Sequence, residues 1–511
     1  MHPHSPLVPL VPLVPHSPLS PLLPHSPSMF NITTKIHDKF SIEFKMGFSG
    51  SQQDRESNFM VNSWFFIPYS LNINAETYGK EQFYRDVRSN IRLITPSFPL
   101  ADLANEHEMP LRNLRAVTDR LLATPNTFSM QEFDLQVKLY VAIFKSSLRD
   151  ETLRIMNLAV DDTDIVKAAI SDLVRILRAI TQAYRSTGNR TVGKNTFAET
   201  IFRHGDEYIS HLISIQSIKI HKNLLPDLYE EERELIQRLV HDELTYKEKC
   251  HYSHTGHSDT PVTRELIYRH SLLKKYISSV LYLKTDTTED GAAMQELSLS
   301  LAAGLAMFIS LLIALPFQKY LGNYPFLIFI ILVVAYMFKD RIKEFARKKF
   351  VHRMKAKYFD HKCTIQFKDK NIGYIREGMD FINDSHIPPE VLRLRNRSAL
   401  EEDNRLFLEK TILYRKHVQL ETKTLSEQDD YQFSGINDIM RFHIQRYTLK
   451  MDDPVILLES LDENGKYSQF NSLRIYPIHI IMQFVSEGKC EYRGFLIQAT
   501  RNGIVSCEEV K

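Results

Sequence analysis

The chain has 511 residues, 43% hydrophobic and 25% charged, with 64 Lys and Arg against 62 Asp and Glu. That length allows about three domains with sizeable cores, and a net charge of +2 gives no support to bulk nucleic-acid binding, so no nucleic-acid partner is expected. The 4 cysteines, Cys250, Cys363, Cys490 and Cys507, lack paired spacing, which fits free thiols in a reducing compartment rather than a disulfide framework.

Residues 1–28 place a proline at every third position from Pro3 to Pro27. Polyproline II repeats every three residues, so these prolines line one edge of an extended rod, and such a stretch does not form a helical signal core. The segment reads as a Pro-rich disordered tail, as a ligand for a proline-binding domain, or as an untranslated repeat ahead of a true start at Met29.

Residues 29–283 read as a strand hairpin followed by a helical bundle. Phe40, Ile42, Phe44 and Met46 alternate with polar residues, and the polar turn Gly47 to Asn58 leads to a second apolar run holding Trp64. From about residue 80 the period is helical. Ser129 to Glu132 and Thr196 to Glu199 have the form of capping boxes, with Phe128 and Phe133 placed as a staple for the first. Asp161, Asp162 and Asp164 put negative charge at the next helix start, and Pro226 suits a first helical turn. The apolar faces are one-sided, which predicts a bundle.

Residues 297–338 read as a two-helix transmembrane hairpin. Leu297–Leu315 runs 19 residues without a charge, roughly 28 Å as a helix, about the thickness of a bilayer core. Tyr324–Phe338 is a shorter second run, with Tyr320, Tyr324 and Tyr336 near its ends. Neither span holds an ionisable residue, which argues against a channel or transporter. The small-residue patch Ala302, Ala303, Gly304 and Ala306 predicts packing against the second span, with a homo-oligomer contact as the alternative.

After Phe338 the stretch Lys339 to Lys357 carries 9 Lys/Arg against 2 acids. Lysine and arginine excess marks the cytoplasmic side, and the upstream flank is also Lys/Arg-bearing. Both large parts are therefore expected in the cytoplasm, at a bacterial inner membrane. Residues 339–358 should form a basic juxtamembrane helix, with Phe338, Ile342 and Phe345 on one side. Lys339, Arg341, Lys343, Arg347, Lys348, Lys349 and Arg353 would then contact anionic lipid headgroups.

Residues 361–511 read as a cytoplasmic antiparallel β-rich domain. A helical interlude follows Pro389, with a capping box at Ser398 to Glu401. Phe442, Ile444, Tyr447, Leu449 and Met451 alternate with a slip, predicting a bulge. Asn464-Gly465 and Asn502-Gly503 are strong hairpin turns and Glu487-Gly488 a weaker one, giving a sheet or small barrel of about five strands at the end.

Chemistry is thinly marked. Cys250, His251, His254 and His257 are zinc-type ligands in one loop, without a recognisable spacing. His204-Gly205-Asp206-Glu207 and His241-Asp242-Glu243 set histidine beside carboxylates, but neighbours on a helix diverge. The common nucleotide-binding, serine-hydrolase and zinc-protease motifs do not occur. The expectation is an α+β membrane protein acting as a membrane-anchored cytoplasmic scaffold or regulator. It would need no cofactor and would bind the lipid bilayer and an unidentified protein partner. The alternative is a membrane-tethered, zinc-dependent hydrolase with its site in the helical domain.

Overall fold

The computed structural model describes residues 31–50, 55–158, 163–225, 228–252, 261–320, 325–397, 409–427, 430–461 and 465–510. The chain opens with β1 (Asn31–Asp38), β2 (Ser41–Ser49), β3 (Ser57–Pro68), α1 (Lys80–Asp86) and β4 (Val87–Leu93). Six helices follow: α2 (Met109–Ala123), α3 (Thr127–Leu158), α4 (Thr163–Asn189), α5 (Thr196–Asn223), α6 (Glu230–Lys249) and α7 (Pro261–Ser278). Next come β5 (Lys284–Glu289), α8 (Ala292–Tyr320), α9 (Pro325–Lys357), β6 (His361–Phe367), β7 (Lys370–Ile382) and α10 (Pro389–Arg395). The remaining strands are β8 (Glu409–Leu420), β9 (Gly435–His443), β10 (Val455–Leu461), β11 (Tyr467–Leu473), β12 (Tyr476–Ser486), β13 (Lys489–Thr500) and β14 (Gly503–Val510).

The architecture is α+β. One sheet has the order β1-β2-β9-β4, a second β14-β13-β12-β3-β8-β7-β6-β5, and β10-β11 stands apart. Both larger sheets contain strands from before and after the long helices, so the two polar parts read from the sequence share sheets rather than forming separate ones. The sheets pack face to face through aromatic edges, Phe44 against Phe495 at 5.2 Å and Phe65 against Phe442 at 5.1 Å between ring centroids. A continuous apolar core joins both sheets to the bundle, from Phe44 through Tyr140 and Ile213 to Ile497, and no described residue of α8 or α9 belongs to it.

The expected strand hairpin does not form. β2 pairs with β1 and β9, whereas β3 pairs with β12 and β8 in the other sheet. The reason lies in β3 itself. Trp64, Phe65, Phe66 and Ile67 are all buried, so the strand presents apolar side chains to both faces and belongs in a sheet interior with a partner on each edge.

Two caps shift from their expected places. α3 begins at Thr127, and Asn126 and Ser129 cap each other: Asn126 N donates to Ser129 Oγ at 3.0 Å and Ser129 N to Asn126 Oδ1 at 2.8 Å. Phe128 is 66% exposed and makes no staple, while Glu132 turns to Arg120. On α5 the cap is Asn195, whose Oδ1 accepts from Ala198 N at 3.0 Å. The expected caps at Pro226 and Ser398 lie outside the described residues. The slip after Phe442 is a short helix, Gln445–Thr448, rather than a bulge. The weakest turn is well formed: Glu487 and Gly488 both take positive φ between β12 and β13. Among the described residues no barrel closes at the end of the chain, since β12, β13 and β14 extend the eight-stranded sheet.

Gly373 shows how tightly the β7–β8 ladder is drawn. Its φ is +147°, and a Cβ there would overlap the Gln419 carbonyl oxygen on the partner strand. Gly373→Ala is expected to cost about 3 kcal/mol through backbone strain and overpacking, read as a lower melting temperature in mild detergent.

Candidate functional site

The first candidate is the base of the long helical hairpin. α8 and α9 pack on each other and leave the body between β5 and β6, which pair edge to edge with Glu289 opposite His361. Asp290 and Asp360 continue this ladder and tie the helices down. Asp290 Oδ2 accepts from Phe359 N at 3.1 Å. Asp360 accepts from Lys80 Nζ at 2.6 Å, Tyr84 Oη at 2.8 Å and Met379 N at 2.9 Å. Burial opposes ionisation of Asp360, but these three donors outweigh it and hold the carboxyl below the usual range. Gly291 sits at φ +75° beneath the Tyr358 ring, 2.8 Å from where a Cβ would stand, so a side chain is excluded.

Among the described residues one helix, α8, is long and apolar enough to cross a membrane by length and composition, over Ala292–Ile309 with 12% of that window buried. Its outward side is apolar: Leu297, Leu301, Leu305, Phe308 and Leu312 are all exposed. Ala302 and Ala306 are buried, and Gly304 faces open space. On α9, Phe326, Phe329, Val333, Met337 and Phe338 are exposed.

The predicted membrane-surface cations continue α9 without a break. Arg341, Lys343, Arg347, Lys348 and Lys349 are exposed, and Lys339 is half-buried with its ammonium 4.4 Å from the centre of the Tyr336 ring. Arg347 lies 3.5 Å from Glu344. Arg353 falls on the same helix. The cations are not confined to one side, as the expectation of an amphipathic face required. Lys349 follows Phe345 by one turn and sits 5.9 Å from its ring centre.

The second candidate is the polar interior of the bundle. Cys250 caps the end of α6 as a free, half-buried thiol, and its carbonyl accepts from Arg203 Nη2 at 2.9 Å. His251, at φ +57°, lines a cleft of about 330 Å³ with Thr200, Arg203, His204, Glu207, Tyr252 and Arg269. His254 and His257 lie outside the described residues. Within the cleft Arg269 grips Glu207, with Nη2 to Oε2 at 2.8 Å.

Deeper in, Arg185 of α4 bridges Asp206 of α5 at 3.1 Å and Glu243 of α6 at 2.8 Å. Asp206 also accepts from the hydroxyls of Tyr246 at 2.7 Å and Tyr252 at 3.0 Å, and Glu243 from Ser210 at 2.5 Å. Lys247 donates to Ser214 Oγ at 2.8 Å. Burial raises the Asp206 carboxyl above its usual range, and Arg185 and the two phenols oppose the shift. His211 and His270 lie 3.4 Å apart between ring centres; burial pushes them down to about 3 and about 4, so both are neutral at pH 7.

The two His–carboxylate runs are thus split as helical geometry dictates. Asp206, Glu207 and Glu243 point inward, while Asp242 pairs with Arg178 at the surface. The inward carboxylates already have cationic and hydroxyl partners, so they tie α4, α5, α6 and α7 together instead of converging on one open point. Among the described residues no three His, Cys, Asp or Glu side chains are grouped to hold a metal. Reading the sequence could not find Arg185, because its carboxylate partners come from other helices. The chain matches no protein-family model, no curated protein and no solved structure.

Proposed function

We propose that this chain is a membrane-anchored cytoplasmic scaffold, whose α8–α9 hairpin holds the sheet-and-bundle body at one face of a bilayer. The observation that carries the reading is the hairpin's exposed apolar surface. Leu301 is 64% exposed, Phe308 64%, Phe326 75% and Phe329 62%, and a contiguous surface of that kind marks contact with lipid or protein. The β5–β6 pairing supports a same-side arrangement, since it brings the entry and exit of the hairpin together and so keeps both polar parts on one side. The exposed cations of α9 then lie beside the anionic leaflet, where each contributes about 1 kcal/mol.

The β10–β11 arm supports the protein-binding half of the reading. Val455, Leu457, Leu461, Tyr467, Phe470 and Leu473 are all exposed on it. A free two-stranded ribbon is marginally stable in water, so an apolar partner for it is expected, and strand edges are a common peptide-recognition surface.

Reporter fusions ending before Leu297 and after Tyr358 should both read cytoplasmic, and the chain should stay in the pellet through alkaline carbonate extraction. Opposite reporter readings, or release by carbonate, would overturn the anchor. A pull-down from native membrane in mild detergent should bring a stoichiometric protein with it, and clean recovery of the chain alone would count against the scaffold.

A further inference from the structure

One face of the four-stranded sheet carries cations without matching acids. Register places Lys45 of β2 opposite Ile439 of β9, with Asn90 of β4 also opposite Ile439, and Arg92 two residues beyond Asn90. Lys45 and Arg92 therefore share a face, because paired residues and those two apart point the same way. It is the face turned from the other sheet, since Phe44, which packs on Phe495, lies on the opposite side. Arg149 of α3 lies near enough for its charge to act on both Lys45 and Arg92, and Lys145 of α3 lies within reach of Arg92, Arg149 and Lys274 of α7.

The balance of charge is one-sided. Glu43 on this face is taken by Lys35 at 2.8 Å and Arg441 at 2.9 Å, and Arg149 pairs with Asp150 at 2.7 Å. Lys45, Lys145 and Lys274 make no hydrogen bond or ion pair to any described residue; Lys145 has only the Tyr208 ring, 5.9 Å away. The Nε of Arg92 is fully buried with no acceptor among the described residues. Burial first, then the neighbouring cations, push both Lys45 and Lys145 down to about 8. Asp150 opposes the shift on Lys45 and Glu43 that on Arg92, but both carboxylates are already paired, and half-buried cations with so little counter-charge are costly unless an anion joins them.

We propose that Lys45, Arg92 and Lys145 form a binding site for a multiply charged phosphate-type oxyanion. A guanidinium with a free buried N–H and two unpaired ammonium groups is the donor set such a ligand requires. The cluster lies beside Tyr282, which bridges to Arg92, at the end of β5 away from the hairpin. The six residues of β5 separate it from the hairpin base by about 20 Å along the strand. That exceeds the screening length at physiological salt, about 8 Å, and favours a soluble phosphate over a headgroup of the hairpin's own bilayer.

The test uses the full chain in neutral detergent micelles at low salt, with inorganic pyrophosphate in one arm and micelles doped with phosphatidylglycerol in the other. Pyrophosphate in hundredfold excess over its Kd should raise the melting temperature by about 3 °C or more, and K45M/K145M should bind it at least tenfold more weakly. A shift only with the lipid, lost in the variant, would keep the site and assign it to a headgroup. No shift in either arm, or an equal shift in the variant, would overturn the site.

Folding of the variant is checked by its own melting curve without anion. Both lysines hold protons less firmly folded than unfolded, so wild-type stability should rise from pH 7 toward pH 10 as they discharge, and K45M/K145M should lose that rise. Lys35, Glu43, Arg441, Arg149, Asp150, Lys274 and Tyr208 face the pair and remain unchanged. A wild-type curve flat over this range would also overturn the site.

Discussion

Replacing residues 291–359 by an Asn-Gly turn is expected to turn the chain into a water-soluble protein with its body intact. Asp290 and Asp360 already face each other at the end of the β5–β6 ladder, where Asp290 N donates to the Asp360 carbonyl at 3.4 Å. A two-residue type I′ turn closes such a pair without altering register. The apolar core of the body contains no described residue of α8 or α9, so their removal opens no cavity there. The interactions that go with the hairpin lie at its base: Phe359 stacks on His417 at 6.4 Å, Arg415 lies 5.5 Å from the Phe359 ring centre, and the Phe359 N–H donates to Asp290. The side-chain ties of Asp360 to Lys80 and Tyr84 stay in place. The variant should remain in the supernatant after ultracentrifugation without detergent and melt within a few degrees of the full chain. A variant that precipitates or loses its cooperative melt would show that the hairpin belongs to the core of the body.

The hairpin, the basic continuation of α9 and most helices were legible because their information is local: a run of apolar residues, a period, a charge count. Of the small-residue patch, Ala302 and Ala306 lie buried on α8, while Gly304 faces open space. What could not be read is which strands meet. β2 and β3 are adjacent in sequence and joined by a turn-rich segment, yet β9, some 390 residues later, is the neighbour of β2. Nothing in a single strand records its partner across such a distance. Turn chemistry was a partial guide: Glu487-Gly488 formed its turn between paired strands, whereas the turn expected at Asn502-Gly503 is shifted by one residue, with Arg501 and Asn502 between the paired Thr500 and Gly503. The slip after Phe442 misled, because a short helical turn and a bulge displace the alternation alike. The polar network of the bundle was hidden for the reason that hid the sheet order. Asp206, Glu243 and Arg185 each look like solvated charges on their own helix, and only their convergence shows otherwise.

Lys416→Met is expected to be among the most damaging single changes in the body, at about 3–5 kcal/mol, because it strands buried charge. Lys416 of β8 and Asp438 of β9 are fully buried and form an ion pair across the gap between the two large sheets. Lys416 Nζ also lies 3.1 Å from Glu377 of β7 and donates to Ser89 Oγ of β4 at 2.9 Å. One ammonium therefore holds strands of both sheets. Burial raises the Asp438 carboxyl above its usual range, and the Lys416 ammonium is the main group opposing that rise. Without the ammonium the carboxylate has no cation in a dry site, and the loss is a large share of a typical total stability of about 5–15 kcal/mol. The variant should then be more stable in mild acid than at pH 7, since protonation removes the stranded charge and the folded-state carboxyl binds protons more firmly than the unfolded one. Glu377 has a second partner in Tyr414 Oη at 2.8 Å, so K416M/D438L should recover most of the lost stability by replacing the pair with packed apolar groups. Melting curves of the two variants from pH 5 to pH 8 decide the matter. If K416M loses under about 1 kcal/mol, or if K416M/D438L is no better than K416M, the pair does not join the sheets and packing alone holds them together.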